Sequence, residues 1–129
     1  MVHQARINPT GLAWERFWVA EADGEVIGCA QVKPHRDGSR ELASLVVQLE
    51  RRGWGVARAL IEHFLAAESL PLYLTCRSNL GSFYRRFGFR IVPVGEMPVY
   101  FRWAYRLVNA GRLLRGKNPR MLVMVSTSR

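Results

Sequence analysis

The sequence predicts a mixed α/β fold in which helices cover a mostly antiparallel sheet. Three observations support this prediction. Strand-like segments alternate with turns through the first part of the chain, a glycine-containing loop leads directly into an amphipathic helix, and short apolar segments follow that helix. A strand, a helix and a further strand in succession predict a βαβ unit with parallel strands. The length of 129 residues fits a single domain spanning 1–129.

An antiparallel meander is predicted for the first half of the chain. Its segments are rich in aromatic and β-branched residues, which favour strands. The predicted strands are 14–21, 26–33 and 41–47. Asp23 and Gly24 are typical of a hairpin turn, because glycine adopts a positive φ without strain, and 34–39 is predicted as a second turn. We expect the thirteen residues before the meander to be an irregular lead-in with a turn at 8–11.

Helical spacing and turn residues define the second half. Val56, Leu60, Phe64 and Ala67 recur at the spacing of one helix face. The predicted helices are 55–67, 79–87 and 99–114, and the predicted strands are 71–75, 89–94 and 121–126. Gly88 is expected to end the second of these helices as a left-handed cap.

Composition excludes several classes of protein. A hydrophobic fraction of 49% excludes wholesale disorder, and no uninterrupted apolar stretch reaches the roughly 18 residues of a membrane-spanning helix. No secretory signal is visible at the start of the sequence. Cys29 and Cys76 are too few for a disulfide framework or a structural zinc cluster. We therefore expect a reducing, cytoplasmic location and no metal site.

Positive charge is concentrated in the last part of the chain. The whole sequence has a net charge of +9, and residues 77–129 hold 11 basic residues against 1 acidic residue. Such a segment favours an anionic partner, which could be a phosphorylated cofactor, a nucleic acid or an anionic membrane. Charge alone does not choose among these three.

A helix over 99–115 would be both amphipathic and cationic. Its basic face would carry Arg102, Arg106 and Asn109, with Arg112 nearby. Its opposite face would carry Trp103, Leu107, Ala110 and Leu114. We expect the helix to cover the sheet with its basic side in water. Contact with an anionic membrane or RNA and a lid over an acceptor site are alternatives, although no recognisable nucleic-acid-binding module supports RNA.

Residues 48–57, QLERRGWGVA, place two glycines between a strand and a helix. Glycine lets backbone N–H groups approach a phosphate closely, and a helix N-terminus adds unpaired N–H donors and a positive dipole end. Arg51, Arg52 and Arg58 add positive charge. The loop therefore predicts diphosphate binding, with a plain glycine turn and solvated arginines as the alternative. The Rossmann fingerprint does not fit, because its third glycine would fall at Arg58, and no P-loop Gly-Lys-Ser/Thr follows.

Two motifs in the chain match those of one known family. Gly53 and Gly55 occupy the glycine positions of the pattern Gln/Arg-x-x-Gly-x-Gly/Ala, although Glu50 stands where the pattern has Gln or Arg. Downstream, 83–89 is similar to the pattern of an aliphatic or aromatic residue followed by Tyr-x-x-x-Gly-Phe, with Tyr84 at its tyrosine. On these motifs the chain resembles the GNAT superfamily of acyl-CoA-dependent N-acyltransferases over about residues 14–92.

The resemblance implies acetyl-CoA as the co-substrate. It places the pantetheine arm in a gap where the strand before the loop splays from its parallel neighbour. A backbone N–H of Val46 or Val47 would then polarise the thioester carbonyl. Arg77 stands where family members often carry Asn, and Asn79 could substitute for it. The implied cofactor-binding residues are Leu45, Val46, Val47, Arg51, Arg52, Gly53, Trp54, Gly55, Val56, Ala57, Arg58, Asn79, Ser82 and Tyr84.

The resemblance also implies two catalytic residues. Glu41 corresponds roughly to a carboxylate that some family members use as a base, often through water, and a solvated strand-end Glu is the alternative. Tyr84 corresponds to the general acid that protonates the departing sulfur, and a tyrosine that only packs in the core is the alternative. We expect His35 to be solvent-exposed in its turn, with a role as a base as the alternative, and His63 to lie on the surface. Neither cysteine has a histidine arrangement that would favour a thiol nucleophile.

The predicted function is N-acetyltransfer from acetyl-CoA directly to a primary amine of an unidentified acceptor. The alternative is a non-catalytic CoA-binding or basic interaction module. Two departures motivate that alternative, namely Glu50 and the thirteen residues that stand where the family usually has about 40 before the hairpin. We expect either that this element is absent or that the sequence begins late. In either case a second subunit could cover the free sheet surface, so a homodimer is a further expectation.

Overall fold

A computed structural model describes residues 6–9, 17–22, 24–48 and 55–127. The strands are β1 (Arg6–Pro9), β2 (Phe17–Ala22), β3 (Glu25–Pro34), β4 (Arg40–Val47), β5 (Leu72–Arg77), β6 (Arg90–Ile91) and β7 (Met121–Ser126). The helices are α1 (Val56–Ala67), α2 (Gly81–Arg85) and α3 (Val99–Leu114), with 3₁₀ turns at Ser78–Leu80 and Val94–Glu96. The predicted mixed α/β fold is confirmed.

The chain divides into two compact units. Unit one consists of residues 1–33 and 42–69, and unit two consists of residues 34–41 and 70–129. Strand β4 contributes its first two residues to unit two and the rest to unit one. The prediction that 1–129 forms one domain stays a prediction.

Unit one contains an antiparallel meander. β1 pairs with β2 from Arg6↔Glu21 to Pro9↔Trp18, and β2 pairs with β3 around a turn in which Gly24 has a φ of 76°. The meander was predicted, but the irregular lead-in was wrong because Arg6–Pro9 is a strand. Its sequence lacks a strand pattern, so pairing with β2 selects the extended conformation, and Pro9 is tolerated at the end of an edge strand.

The core of unit one joins α1 to the strands. Ala20, Ile27, Val56 and Leu60 form a buried cluster, against which Leu45 and Val47 pack. The helical spacing predicted for 55–67 is confirmed by α1, whose first-turn Val56 is buried. Burial of such apolar side chains contributes roughly 1.5–3 kcal/mol each, which outweighs the weak helix propensity of Val56.

Unit two contains a parallel strand pairing and the antiparallel strands next to it. β4 begins parallel to β5 with Glu41 opposite Tyr73. β5 then pairs antiparallel with β7 from Leu72↔Ser126 to Arg77↔Met121, and β6 pairs antiparallel with β7. The strand predicted for 89–94 is shorter than expected, because only Arg90 and Ile91 pair before Pro93 leads into a 3₁₀ turn.

Helix α3 packs through a face that differs from the expected one. Phe101 and Asn109 are fully buried, and Phe101 joins Val92, Met97, Val123 and Val125 in the core of unit two. The residues expected to cover the sheet are instead exposed: Trp103 at 63%, Leu107 at 64% and Leu114 at 88%. Both faces of the helix carry apolar residues at helical spacing, so periodicity alone could not select the buried one.

Within the described ranges, no helix has the length and apolar character needed to cross a membrane.

Gly28 allows β3 to approach its neighbours unusually closely. A Cβ atom added there would lie 2.8 Å from Cγ1 of Val56 and 3.1 Å from the carbonyl oxygen of Val46. The first distance is shorter than real Cβ contacts, and the second involves backbone that cannot rotate away. Absence of a side chain at Gly28 therefore lets the first turn of α1 rest directly on β3.

We expect Gly28→Ala to lower the free energy of unfolding by about 1–3 kcal/mol, because an inserted methyl group must displace Val56 or the β4 backbone. Urea denaturation monitored by circular dichroism measures this change. Gly95→Ala is the matched control, since its added Cβ meets no atom within 4 Å. Equal stability of the two variants would contradict the close packing.

Candidate active site

The N-terminus of α1 begins directly after a left-handed glycine. Gly55 precedes the helix with a φ of 77° and a ψ of 15°, and no side chain caps the first turn. The carbonyl oxygen of Gly55 accepts the first helical hydrogen bond from the amide of Ala59 at 2.9 Å. No acidic residue lies in the first turn to occupy the positive end of the helix dipole. This arrangement suits an anion bound by main-chain N–H groups.

Only part of the predicted diphosphate loop lies within the described ranges. The predicted residues Arg51, Arg52, Gly53 and Trp54 lie outside them, as does Glu50. Gly55 is exposed, Arg58 is exposed and Ala57 is half-buried at the start of α1. Val56 is buried in the core, so it would contribute to a ligand site only through its backbone.

The predicted pantetheine strand alternates between core and solvent. Leu45 and Val47 pack against the cluster around Leu60, while the side chain of Val46 is 59% exposed. Beyond Val47, the amide of Gln48 donates to the carbonyl oxygen of Ile27 at 2.8 Å. The side chains of this segment thus serve the core or face solvent, which leaves only main-chain groups for the role that the sequence predicted.

Tyr84 lies in α2 with its ring half-buried among aromatic neighbours. Its ring centroid is 5.1 Å from that of Phe83 and 6.1 Å from that of Phe89, both in edge-on geometry. The helix is shorter than the predicted 79–87, because α2 ends at Arg85, and Gly88 has its expected positive φ of 91° in the turn that follows. Burial, and to a smaller extent the sulfur of Cys76, raises the pKa of the Tyr84 phenol. The phenol therefore stays protonated throughout the neutral range and can donate a proton.

Glu41 and His35 form a mostly buried pair. Nε2 of His35 lies 2.8 Å from Oε1 of Glu41, and the two side chains are 12% and 10% exposed. The expected solvent exposure of His35 was therefore wrong, and so was the alternative of a solvated Glu41. In the tautomer in which His35 donates to Glu41 through Nε2, the lone pair of the imidazole lies on Nδ1.

Aromatic rings and a second carboxylate hold the His35 loop against the start of α3. The His35 ring stacks on Tyr100 at 3.7 Å and meets Phe101 edge-on at 5.4 Å. Asp37 accepts hydrogen bonds from the Ser39 amide and hydroxyl through Oδ1 and from the Tyr100 amide through Oδ2. The contacts of His35 and Asp37 with the start of α3 join sequence positions more than sixty residues apart, so no local pattern could reveal them.

The pKa values of this loop reflect the same contacts. Burial opposes ionisation of Asp37, but hydrogen bonds from Ser39 and Tyr100 and the charge of His35 outweigh it, so the pKa of Asp37 is lowered. Asp37 thus stays ionised at the N-terminus of α3, where a negative charge is favourable. Burial and the charge of Glu41 raise the pKa of Tyr100.

The remaining predicted site residues lie around α2. Asn79 and Ser82 are exposed, the first in the 3₁₀ turn and the second in α2. His63, on α1, differs from its expected surface position. His63 is half-buried with its ring 4.4 Å from that of Trp18, and burial lowers its pKa despite the opposing charge of Glu68.

Neither cysteine is suited to act as a nucleophile, and the described histidines form no metal site. Burial raises the pKa of Cys29 and raises that of Cys76 to about 11. Sγ of Cys76 faces Sδ of Met124 at 3.9 Å. Among the described residues no group of histidines, cysteines and carboxylates could hold a metal ion. Acyl transfer through a thiol of either cysteine would require a thiolate that burial disfavours.

Comparison with known protein families adds to these features. The family model described as an acetyltransferase (GNAT) domain matches residues 13–91. This chain belongs to the GNAT acetyltransferase family. The match includes β2 to β6 and therefore α1, Glu41 and Tyr84. No curated protein sequence matches the chain significantly.

Solved structures share the fold of this GNAT chain. N-acetylglutamate synthase from Neisseria gonorrhoeae, solved with coenzyme A and N-acetyl-glutamate, superposes with a TM-score of 0.68 at 22% identity, covering 95% of this chain and 29% of that chain. An acyl-CoA N-acyltransferase from Pseudomonas aeruginosa superposes with a TM-score of 0.60 at 20% identity, covering 86% of this chain and 67% of that chain. The chain thus spans less than a third of the Neisseria protein.

We expect Cys76 in the folded protein to react with iodoacetamide about 100-fold more slowly at pH 8 than in the unfolded chain, because burial raises its pKa from 9.0 to about 11. Mass spectrometry of the alkylated peptide measures this rate, and the urea-unfolded protein supplies the reference. Equal rates would show that Cys76 is an accessible thiolate and would reopen the thiol mechanism.

Proposed function

We propose that this chain is an N-acetyltransferase that transfers an acetyl group from acetyl-CoA directly to a primary amine. The observation that carries the proposal is the first turn of α1, which follows the left-handed Gly55 and has neither a side-chain cap nor an acidic residue. Membership of the GNAT family supports acetyl transfer in general. The amine acceptor is unidentified.

The residues at the start of α1 fit the diphosphate of CoA. A helix of twelve residues supplies a dipole whose positive end lies at Val56. Packing of Val56 against Gly28 holds that end in place, so the donors are ordered before the ligand arrives. Such preorganisation lowers the entropic cost of binding. When bound, acetyl-CoA supplies the activated acetyl group, and the main chain of α1 supplies the anchor.

Acetyl transfer requires two proton movements, and the chain offers a group for each. As the amine nitrogen forms a bond to the acetyl carbon and the carbon–sulfur bond breaks, the sulfur must gain a proton and the nitrogen must lose one. Tyr84 would donate to the sulfur, because burial keeps its phenol protonated. The His35–Glu41 pair would accept the proton of the amine, directly or through water.

Within that pair the two side chains have different roles. Glu41 accepts the Nε2 hydrogen of His35, which fixes the tautomer and leaves Nδ1 to receive a proton. Stacking on Tyr100 fixes the ring plane. A carboxylate 2.8 Å away also stabilises the imidazolium that results. Sequence reasoning favoured Glu41 as the base and gave His35 only as a weaker candidate, and the pair would join the two.

Calorimetric titration with acetyl-CoA, followed by a thiol-release screen of polyamines, amino acids, aminoglycosides and peptides, tests the proposal. Binding together with release of CoA thiol in the presence of one amine class supports it. Binding without turnover would favour the non-catalytic CoA-binding module instead.

The cytoplasmic location and the homodimer stay predictions.

We expect Tyr84→Phe to lower kcat by about 100-fold and to change the KM for acetyl-CoA by less than about threefold, because the variant loses a proton donor and keeps the ring. Steady-state kinetics with the best amine of the screen measure both constants. Tyr105→Phe is the control, since Tyr105 packs beside the core of unit two. An unchanged kcat in Tyr84→Phe would contradict the acid role.

We expect Gly55→Asp to weaken acetyl-CoA binding by at least about tenfold, because a negative charge at the helix N-terminus repels a diphosphate. Gly55→Asn is the matched control, since Asn has the same shape and both residues tolerate the left-handed region. Its affinity should stay within about threefold of the original. Equal loss in both variants, measured by calorimetry, would attribute the effect to backbone strain and count against a phosphate site.

A further inference from the structure

Unit two contains an open cavity of about 430 Å³ at the carboxyl end of β5. Its lining comes from the residues that follow β5 and from the α3–β7 connection. The lining residues are Arg77, Ser78, Asn79, Arg112, Pro119 and Arg120. Three arginines, a serine and an asparagine thus line a volume suited to a small ligand. We propose that this cavity binds a phosphate group.

Among the described residues of unit two, no carboxylate pairs with the three arginines of the cavity. Unit two has only three acidic residues in its sequence, which are Asp37, Glu41 and Glu96. Asp37 binds Ser39 and Tyr100, Glu41 binds His35, and Glu96 lies 3.7 Å from Arg90. None of the ion pairs found among the described residues of unit two includes a cavity arginine.

Hydrogen bonds hold the cavity walls in position. The amide of Ser78 donates to the carbonyl oxygen of Arg120 at 2.9 Å, and the Ser78 hydroxyl donates to the carbonyl oxygen of Pro119. Nε of Arg112 donates to the carbonyl oxygen of Asn118 at 2.9 Å. This bond orients Arg112 and leaves its four Nη hydrogens for a ligand. These contacts use the Ser78 hydrogens and Nε of Arg112, and they leave the Nη groups of Arg112 for a ligand.

Asn109 is the buried support of the same connection. It is fully buried, and its Oδ1 accepts from the amides of Arg120 and Met121 at 2.7 and 3.0 Å. Its Nδ2 donates to the carbonyl oxygen of Met121 at 3.1 Å. A buried amide with satisfied hydrogen bonds fixes the backbone that carries Arg120. Asn109 is thus a positioning residue and does not itself reach the cavity.

The lining chemistry favours phosphate over other anions. Arginine forks match phosphate oxygens with paired hydrogen bonds, and three positive charges balance a dianion better than a single carboxylate. The lining includes no aromatic ring on which a nucleobase could stack, as single-stranded nucleic-acid sites require.

The phosphate has two sources, the 3′-phosphate of CoA or a separate phosphorylated small molecule. The first source rests on the proposed function, whereas the second does not.

NMR titration of the ¹⁵N-labelled chain with inorganic phosphate, at constant ionic strength, tests the site directly. We expect saturable shifts of the Ser78, Asn79 and Arg120 amides. In R77Q/R120Q the affinity should fall by at least about tenfold. The side chains of Arg77 and Arg120 make no hydrogen bond among those found in unit two, so this variant should fold, and circular dichroism checks that it does.

R106Q/R115Q is the matched control, because it removes the same charge from exposed positions outside the cavity. Its affinity for phosphate should change by less than about twofold, as expected for a remote charge screened by salt. Absence of saturable shifts, or an equal loss in both variants, overturns the proposal.

Calorimetry with CoA and 3′-dephospho-CoA distinguishes the two sources. A 3′-phosphate site predicts at least about tenfold tighter binding of CoA, lost in R77Q/R120Q and kept in R106Q/R115Q. A separate ligand predicts equal binding of the two compounds, with phosphate shifts that persist when CoA is bound. If neither compound binds while phosphate still shifts the cavity amides, the proposed function fails and the cavity stands. If CoA binds, but phosphate causes no amide shifts and CoA binds no more tightly than 3′-dephospho-CoA, the cavity proposal alone fails.

Discussion

The contact between Gly28 and the first turn of α1 is the constraint on which the proposed diphosphate site depends. Val56 fits against β3 because Gly28 lacks a side chain, and Val56 is buried there. Gly55 precedes the helix in the left-handed conformation, and no side chain caps the first turn. Among the described residues, this packing and backbone conformation give a helix terminus that suits an anion.

Helix α3 has the corresponding role in unit two. At its start, Tyr100 stacks on His35 and its amide binds Asp37, which fixes the loop that carries the His35–Glu41 pair. Near its end, Asn109 binds the backbone of Arg120 and so supports the arginine cavity. Phe101 anchors the helix in the core between these two places. One helix therefore supports both a proposed proton acceptor and a proposed anion site.

Sequence patterns predicted local features well and long-range ones poorly. The bounds of α3 and β7 follow from periodicity and apolar runs, and Gly24 and Gly88 have the positive φ that their turns require. Strand β1 and the burial of His35 depend on partners elsewhere in the chain, so single-sequence reasoning could not detect them. The exposed Trp103 shows the same limit, because the choice between two partly apolar helix faces was made by the fit of Phe101 and Asn109.

A crystal structure of the chain with CoA tests the central claim most directly. The account predicts diphosphate oxygens within about 2.7–3.2 Å of main-chain nitrogens between Arg52 and Arg58. It also predicts that Gly55 keeps its left-handed conformation in the complex. A diphosphate bound away from the first turn of α1, or those nitrogens bonded to other groups at saturating CoA, would contradict the account.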